Sequence, residues 1–203
     1  MTQYKLDLGG VPGGRSDGRW PSFLDGPHRL FFGINPNLYA GARARAVAAG
    51  LQRRFGLSGA LLPLGNLHLS VFPVGGYDEL TEDVVADALS IGDRIDAASF
   101  EFVLDHMISF KNNRQSPWVM TGRHGLDGFH ALQRSISLLM MPGCKPLTTT
   151  PHMTMAYENQ LVPTLRLDDL ISFRVEEIVL IYSLFGSGRH EHLGAWPLHN
   201  QRP

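Results

Sequence analysis

Cysteine is almost absent: Cys144 is the only one in 203 residues. A single thiol excludes an internal disulfide framework and suits a reducing compartment, and an isolated cysteine reads as a small buried hydrophobe before it reads as a nucleophile. Long apolar runs are missing too. No stretch approaches the ~20 residues needed to span a bilayer, and the N-terminus lacks the basic-then-apolar order of a secretory signal, so a cytoplasmic protein with no membrane partner is expected. Nor does charge of either sign dominate. Against 19 Asp and Glu stand 18 Lys and Arg, a net charge of -1, which argues against a grip on long nucleic acid through many phosphates and leaves short or terminal nucleotides open.

What is present is the composition of an ordinary globular chain, 43% hydrophobic and 18% charged, able to bury a core of its own. Glycine and proline gather at the front. Residues 1–26 hold six glycines, including "LGGVPGG", together with Pro12 and Pro21, and are expected to form a flexible segment ahead of one folded domain over 27–203. Within that domain "HRLFFGINP" reads as a buried strand. "NLYAGARARAVAAGLQRRFG" reads as a helix capped by Asn37 and ended near Gly56, with Arg43, Arg45, Arg53 and Arg54 on a solvated face. A second helix is expected over about 79–96 and a third over about 126–140, ended before Pro142 and Gly143. Strand patterns occupy "FEFVLDHMISF", "SPWVMTGR", "FRVEEIVLIYS" and "HEHLGAWPL", the last two around a hairpin turn at "FGSG". Strands and helices thus occur in two rounds of similar order.

The chemistry lies in two short strands. In "NLHLSVFPVG" the side chains of His68 and Ser70 point one way while Leu67, Leu69 and Val71 point the other. The arrangement recurs 84 residues later, where "PHMTMAY" sets His152 and Thr154 opposite Met153 and Met155. One such tripeptide is a common accident; two, on apolar strands at corresponding places of a repeated element order, call for a shared purpose. Imidazole titrates near ~6.5, so of two rings facing each other one can take a proton while the other gives one. In-line displacement at phosphorus needs both at once. The two hydroxyls can donate to the non-bridging phosphoryl oxygens. No metal, cofactor or covalent intermediate is called for.

In order and spacing, "RLFFGINP", "NLHLSV", "PHMTMAY" and "FRVEEIVLIYS" resemble the two-histidine phosphoesterase superfamily, in its LigT-like branch of 2'-5' RNA ligases and RNA 2',3'-cyclic phosphodiesterases. The likeness runs over about residues 28–198. It implies an α+β fold of two lobes, with two antiparallel sheets related by pseudo-twofold symmetry, flanking helices and a cleft between them. It implies a monomeric enzyme that hydrolyses the 2',3'-cyclic phosphate of RNA 3' ends or small nucleotides to a 2'-phosphomonoester, with reversible 2'-5' RNA ligase activity as a companion. By the same likeness His152 is the general base, His68 the general acid, and Ser70 and Thr154 hold phosphate oxygens. Two positions depart from the family pattern. Ser70 stands where threonine is frequent and keeps the hydroxyl, and Tyr157 stands where a basic residue is frequent, so a phosphate contact is lost or supplied by another arginine.

The alternatives are a phosphodiesterase for a different small cyclic phosphate, a non-catalytic module that binds RNA ends, and a metallohydrolase. The last would use His190 and His192, whose spacing suits two ligands on a strand, yet no carboxylate-rich motif or Cys pair supports it and their place beside a turn suggests solvent-exposed residues. Phe32, Trp118 and Tyr182 could stack on a nucleobase, with a core role for Phe31 or Phe32 the plainer expectation. His28, His106, His124, His130 and His199 show no paired pattern and are read as structural.

Overall fold

The computed structural model describes residues 26–111, 115–143 and 145–200. The expectations for the first 25 residues and for Cys144 lie outside the described residues. Eight strands and three α-helices follow in the order β1 (His28–Ile34), α1 (Leu38–Phe55), β2 (Leu69–Tyr77), α2 (Glu82–Gly92), β3 (Phe100–Ser109), β4 (Ser116–Thr121), α3 (Leu126–Met140), β5 (His152–Glu158), β6 (Leu165–Val175), β7 (Glu177–Leu184) and β8 (Arg189–Pro197). Among the described residues no helix is long and apolar enough to cross a membrane.

The helix ends follow local chemistry. At the start of α1 the Asn37 side chain accepts from the Ala40 amide at 2.8 Å, and Gly56 closes the helix at φ 62°, a left-handed conformation that costs glycine little. The second helix is shorter than the expected 79–96. Thr81 stands in extended conformation before it. Beyond Gly92 the amides of Arg94 and Ile95 bond three residues back, which tightens the chain out of the α-helix. "FRVEEIVLIYS" is not one strand but two, parted at Glu176, because the adjacent charges of Glu176 and Glu177 interrupt the apolar alternation. β6, an edge strand with exposed Asp168, Asp169 and Leu170, shows too thin an apolar stripe to be seen by pattern.

The α+β architecture and its antiparallel pairing are as expected, with one refinement. The two sheets are the halves of a single eight-stranded sheet, ordered β6-β3-β4-β5-β2-β1-β7-β8. Each half has four strands. Within it, β1-α1-β2 corresponds to β4-α3-β5: a strand, a helix, and a returning strand that pairs with the first. The halves meet where β2 and β5 pair at Leu69 and Met153 alone, since the sheet's twist carries the strands apart on either side of that point.

Three helices cover one face. Ala40, Ala44 and Ala48 of α1, Ala88 and Ile91 of α2, and Phe129, Leu132 and Ile136 of α3 join Leu30, Phe32, Leu69, Val71, Met153 and Met155 of the sheet in one core. Two buried polar side chains brace the narrow junction. Gln133 of α3 donates to the Val71 carbonyl at 2.7 Å and to Thr149 Oγ1 at 2.8 Å, and its own oxygen accepts from the Thr149 amide. The Glu158 carboxylate of β5 accepts from Gln52 of α1 and from the amides of Ser58 and Gly59. Each bridge ties one half to the other, and removing one partner would strand a buried polar group at about 1–3 kcal/mol.

Candidate active site

The face left open by the helices carries the polar motifs. Because Leu69 and Met153 pair directly and both point into the core, their neighbours His68, Ser70, His152 and Thr154 point to the open face. The antiparallel register sets His68 beside Thr154 and Ser70 beside His152. His68 stands just ahead of β2, while His152 is the first residue of β5. Both rings are partly exposed, as is Thr154, and Ser70 is open to solvent. Gly33 lies opposite Ser70 in the register, and a Cβ there would come within 2.9 Å of Ile181 Cδ1. Its bare backbone makes room for the Ile181 side chain beside it.

The two histidines are clamped alike. His68 Nδ1 lies 2.8 Å from the Asn66 carbonyl and His152 Nδ1 lies 2.9 Å from the Thr150 carbonyl. A carbonyl only accepts, so each Nδ1 carries the proton and each Nε2 is the nitrogen left for chemistry. An aromatic ring packs against each. Phe31 of β1 stands 5.0 Å from the His68 ring and belongs to a small cluster with Val179 and Ile181. Phe110, just after β3, stands 5.0 Å from the His152 ring and belongs to a second cluster with Ile108 and Val119.

Electrostatics separate the pair. Burial pushes His68 down to about 4; the Asn66 carbonyl pulls it up, and His190, His152 and His192 push it down further. Burial lowers His152 as well, opposed by the Thr150 carbonyl. The Arg29 guanidinium of β1 lies 3.9 Å above the Phe185 ring at the β7–β8 turn. Burial lowers the Arg29 pKa and raises that of Tyr157, and each group acts against the other's shift, so the first half presents a cation towards the position where the family pattern has a basic residue. Beside Tyr157, Ser58, Gly59, Gln115 and Asn159 line a hollow of about 370 Å³.

The core role expected of Phe31 or Phe32 is met, and the other candidates divide between the core and the open face. Phe32 is fully buried on the helix side against Trp196, so Phe31 and not Phe32 is the aromatic at the open face. Trp118 is fully buried in the core. The Tyr182 hydroxyl and His28 Nδ1 are bonded at 2.8 Å. His190 is half-buried, with its ring 5.1 Å from that of His68. Among the described residues no three His, Cys, Asp or Glu are grouped to hold a metal ion. Arg45 donates to the Leu62 carbonyl and Arg43 pairs with Asp169, so both act within the fold. Sequence reasoning missed Arg29, Phe110 and the place of His190. The alternation of "HRLFFGI" could have found Arg29, since it puts Arg29, Phe31 and Gly33 on one face.

Comparison with known proteins agrees with this geometry. No curated protein matches the chain by sequence. Among solved structures, E. coli LigT without ligand superposes with a TM-score of 0.65 at 25% identity, over 85% of this chain and 98% of that one. A crystal structure described as a phosphoesterase gives 0.64 at 25% identity, over 86% of this chain and 100% of that one. The protein TT0787 of Thermus thermophilus shares the fold, at 0.62 and 23% identity over 86% and 100% of the two chains. E. coli LigT has also been crystallised with 3'-AMP, with ATP, with NADP+ and with phosphate. The family model described as the 2'-5' RNA ligase superfamily matches residues 43–184, and with both histidine strands inside that span the chain belongs to this superfamily of phosphoesterases and RNA ligases.

Proposed function

We propose that the protein is a phosphodiesterase that opens the 2',3'-cyclic phosphate of RNA 3' ends or small nucleotides to a 2'-phosphomonoester. One observation carries this reading. Two imidazoles, each held with its proton on Nδ1 by the carbonyl two residues back, present Nε2 to one open face beside two hydroxyls. Water attacks phosphorus on the side opposite the 3' oxygen. As the new P–O bond forms and the P–O3' bond breaks, one Nε2 takes a proton from the water and the other gives a proton to O3'. Ser70 and Thr154 donate to the non-bridging oxygens, where charge gathers in the transition state. Arg29 adds a cation on the side of Tyr157. Phe31 and Phe110 keep the rings from turning, and thereby hold the nitrogens in line.

With an RNA 5'-hydroxyl attacking in place of water, the same machinery would join two ends through a 2'-5' bond. The substrate class draws further support from E. coli LigT, whose crystals hold 3'-AMP and phosphate. The test is turnover of a nucleoside 2',3'-cyclic monophosphate and of a short RNA with a cyclic end, in excess EDTA, with 2'- and 3'-phosphate products resolved. The expected product is the 2'-phosphate, formed despite the chelator. Tight binding of the cyclic end without turnover would instead indicate an RNA-end binding module, and activity lost to EDTA and restored by zinc would indicate a metallohydrolase.

A further inference from the structure

The hollow beside Tyr157 has no part in the proton transfers, and it owes its place to an irregularity in the pairing of β4 with β5. Trp118 stands opposite Ala156 and Val119 opposite Thr154, so Met155 is an extra residue on β5. Such a bulge resets the alternation of side chains. Met155 and Ala156 are both fully buried, and Tyr157, three residues beyond Thr154, returns to the open face with 45% of its surface exposed. Asn159 and Gln115, each two residues on from the Tyr157–Pro117 pair, share that face, and Gln115 Nε2 donates to Asn159 Oδ1 at 3.3 Å. Resting on the reaction proposed above, we propose that this hollow receives the nucleobase of the nucleotide bearing the cyclic phosphate, stacked on the Tyr157 ring with its polar edge on the Gln115 and Asn159 carboxamides.

Size, walls and chemistry all suit a base. A volume of about 370 Å³ admits a flat heterocycle. The wall is fixed before any ligand arrives, because residues 58–62 run beside β5 and are bonded to it. The Leu62 amide donates to the Met155 carbonyl at 2.8 Å, and the Ser58 and Gly59 amides donate to the Glu158 carboxylate. Gly59 comes so close that a Cβ would strike the Tyr157 carbonyl. A site shaped in advance loses less freedom when it binds. Burial raises the pKa of Tyr157, so its ring meets a base as a neutral phenol, and every base has a face that an aromatic ring can stack on. Among the described residues the Gln115–Asn159 bond leaves the Gln115 oxygen and the Asn159 nitrogen to a ligand, and a carboxamide's paired donor and acceptor meet the edge of adenine with two bonds. From Thr154 to Tyr157 the strand advances at most ~10 Å, a reach that a ribose bridges when its phosphate lies over Ser70 and Thr154. The same placement accounts for a tyrosine where the family pattern has a basic residue: Arg29 brings the cation from β1, and the position on β5 becomes a platform.

The test compares kcat/KM for adenosine 2',3'-cyclic monophosphate with that for the 2',3'-cyclic phosphate of methyl riboside, which lacks a base. Both are measured on the full chain and on Tyr157→Leu, Tyr157→Phe, Gln115→Ala and Asn159→Ala. The unsubstituted protein should favour the adenosine substrate. That preference should fall about tenfold in Tyr157→Leu and stay in Tyr157→Phe, which keeps the ring. Each carboxamide variant, at an exposed position, should lower it about threefold. A preference unmoved in Tyr157→Leu, or a loss shared equally by both substrates, would overturn the inference. So would a fall in Tyr157→Phe as large as in Tyr157→Leu, since the hydroxyl and not the ring would then be at work. Calorimetric binding of adenosine 2'-monophosphate, set against methyl riboside 2'-phosphate, needs no turnover, and Tyr157→Leu should weaken the first about tenfold relative to the second. A chain that opens neither cyclic phosphate refutes the proposed reaction, while these affinities still decide whether the hollow takes a base.

Discussion

In the first half of the sheet, His68 stands among Phe31 and His190, with the β7–β8 hairpin closing over it. In the second half, His152 has Phe110 at its edge and no neighbouring imidazole among its described ring contacts. The backbone devices match: the same tripeptide, the same carbonyl two residues back, a phenylalanine at 5.0 Å on each side. The surroundings do not. Internal symmetry has therefore preserved the parts that orient a ring, while the neighbouring side chains differ between the halves, His190 of the outer strand β8 meeting His68. Two chemically identical groups can in this way divide the labour of an acid and a base.

The largest way to break the symmetry is to remove one ring. His68→Ala and His152→Ala should each lower kcat by about two to four decades, with the double variant little worse than either, as expected for groups that act as a unit. Steady-state kinetics on the cyclic mononucleotide would check this, and near-full turnover by either single variant would deny that ring a role. Next come the packing rings. Phe31→Ala and Phe110→Ala each empty a small buried cluster and should cost about 3 kcal/mol of stability in denaturant unfolding. Equal stability losses with a larger loss of kcat for one would show which half depends more on ring orientation.

A third measurement sharpens the contrast in protonation. Both histidines bind protons less readily in the fold than in the unfolded chain, so their contribution is complete above about pH 6.5 and is lost as the pH falls, for His68 toward about 4. For His68 the loss should be roughly 2–3 kcal/mol in unfolding curves across that window, and His68→Gln should flatten the slope. A slope unchanged by His68→Gln would contradict its lowered proton affinity. Smallest are the hydroxyls: Ser70→Ala and Thr154→Ala should each cost roughly tenfold in kcat/KM, since each removes one neutral hydrogen bond to the phosphoryl group. Full activity in Ser70→Thr would mark the two positions as interchangeable.

The sequence already displayed much of this. Strand alternation showed that His68 and Ser70, and likewise His152 and Thr154, share a face, because side-chain direction along a strand has a fixed period of two. Asn37 and Gly56 marked the ends of α1 through bonds that reach only a few residues. Reading failed where the determinant was distant. "HRLFFGI" said that Phe31 and Phe32 face opposite ways, but which of them meets the core depends on which side of the sheet the helices cover. Most of β6 was hidden because an edge strand needs to bury little, and the break before β7 because nothing local shows that the chain passes at Glu176 from one half of the sheet to the other.

The sequence by itself determined the two His-x-Ser/Thr faces, the helices with their caps and the repeated order of elements, all of which follow from interactions within a few residues. Only the tertiary structure decided that β2 and β5 pair across the halves at Leu69 and Met153, that Arg29 faces Tyr157, and that His190 meets His68. Those contacts link residues between 84 and 128 positions apart. They arise from the accumulated twist of the sheet and the irregular register between β1 and β2 at Leu30–Phe31 and Phe32–Gly33, quantities that no local pattern of side chains encodes.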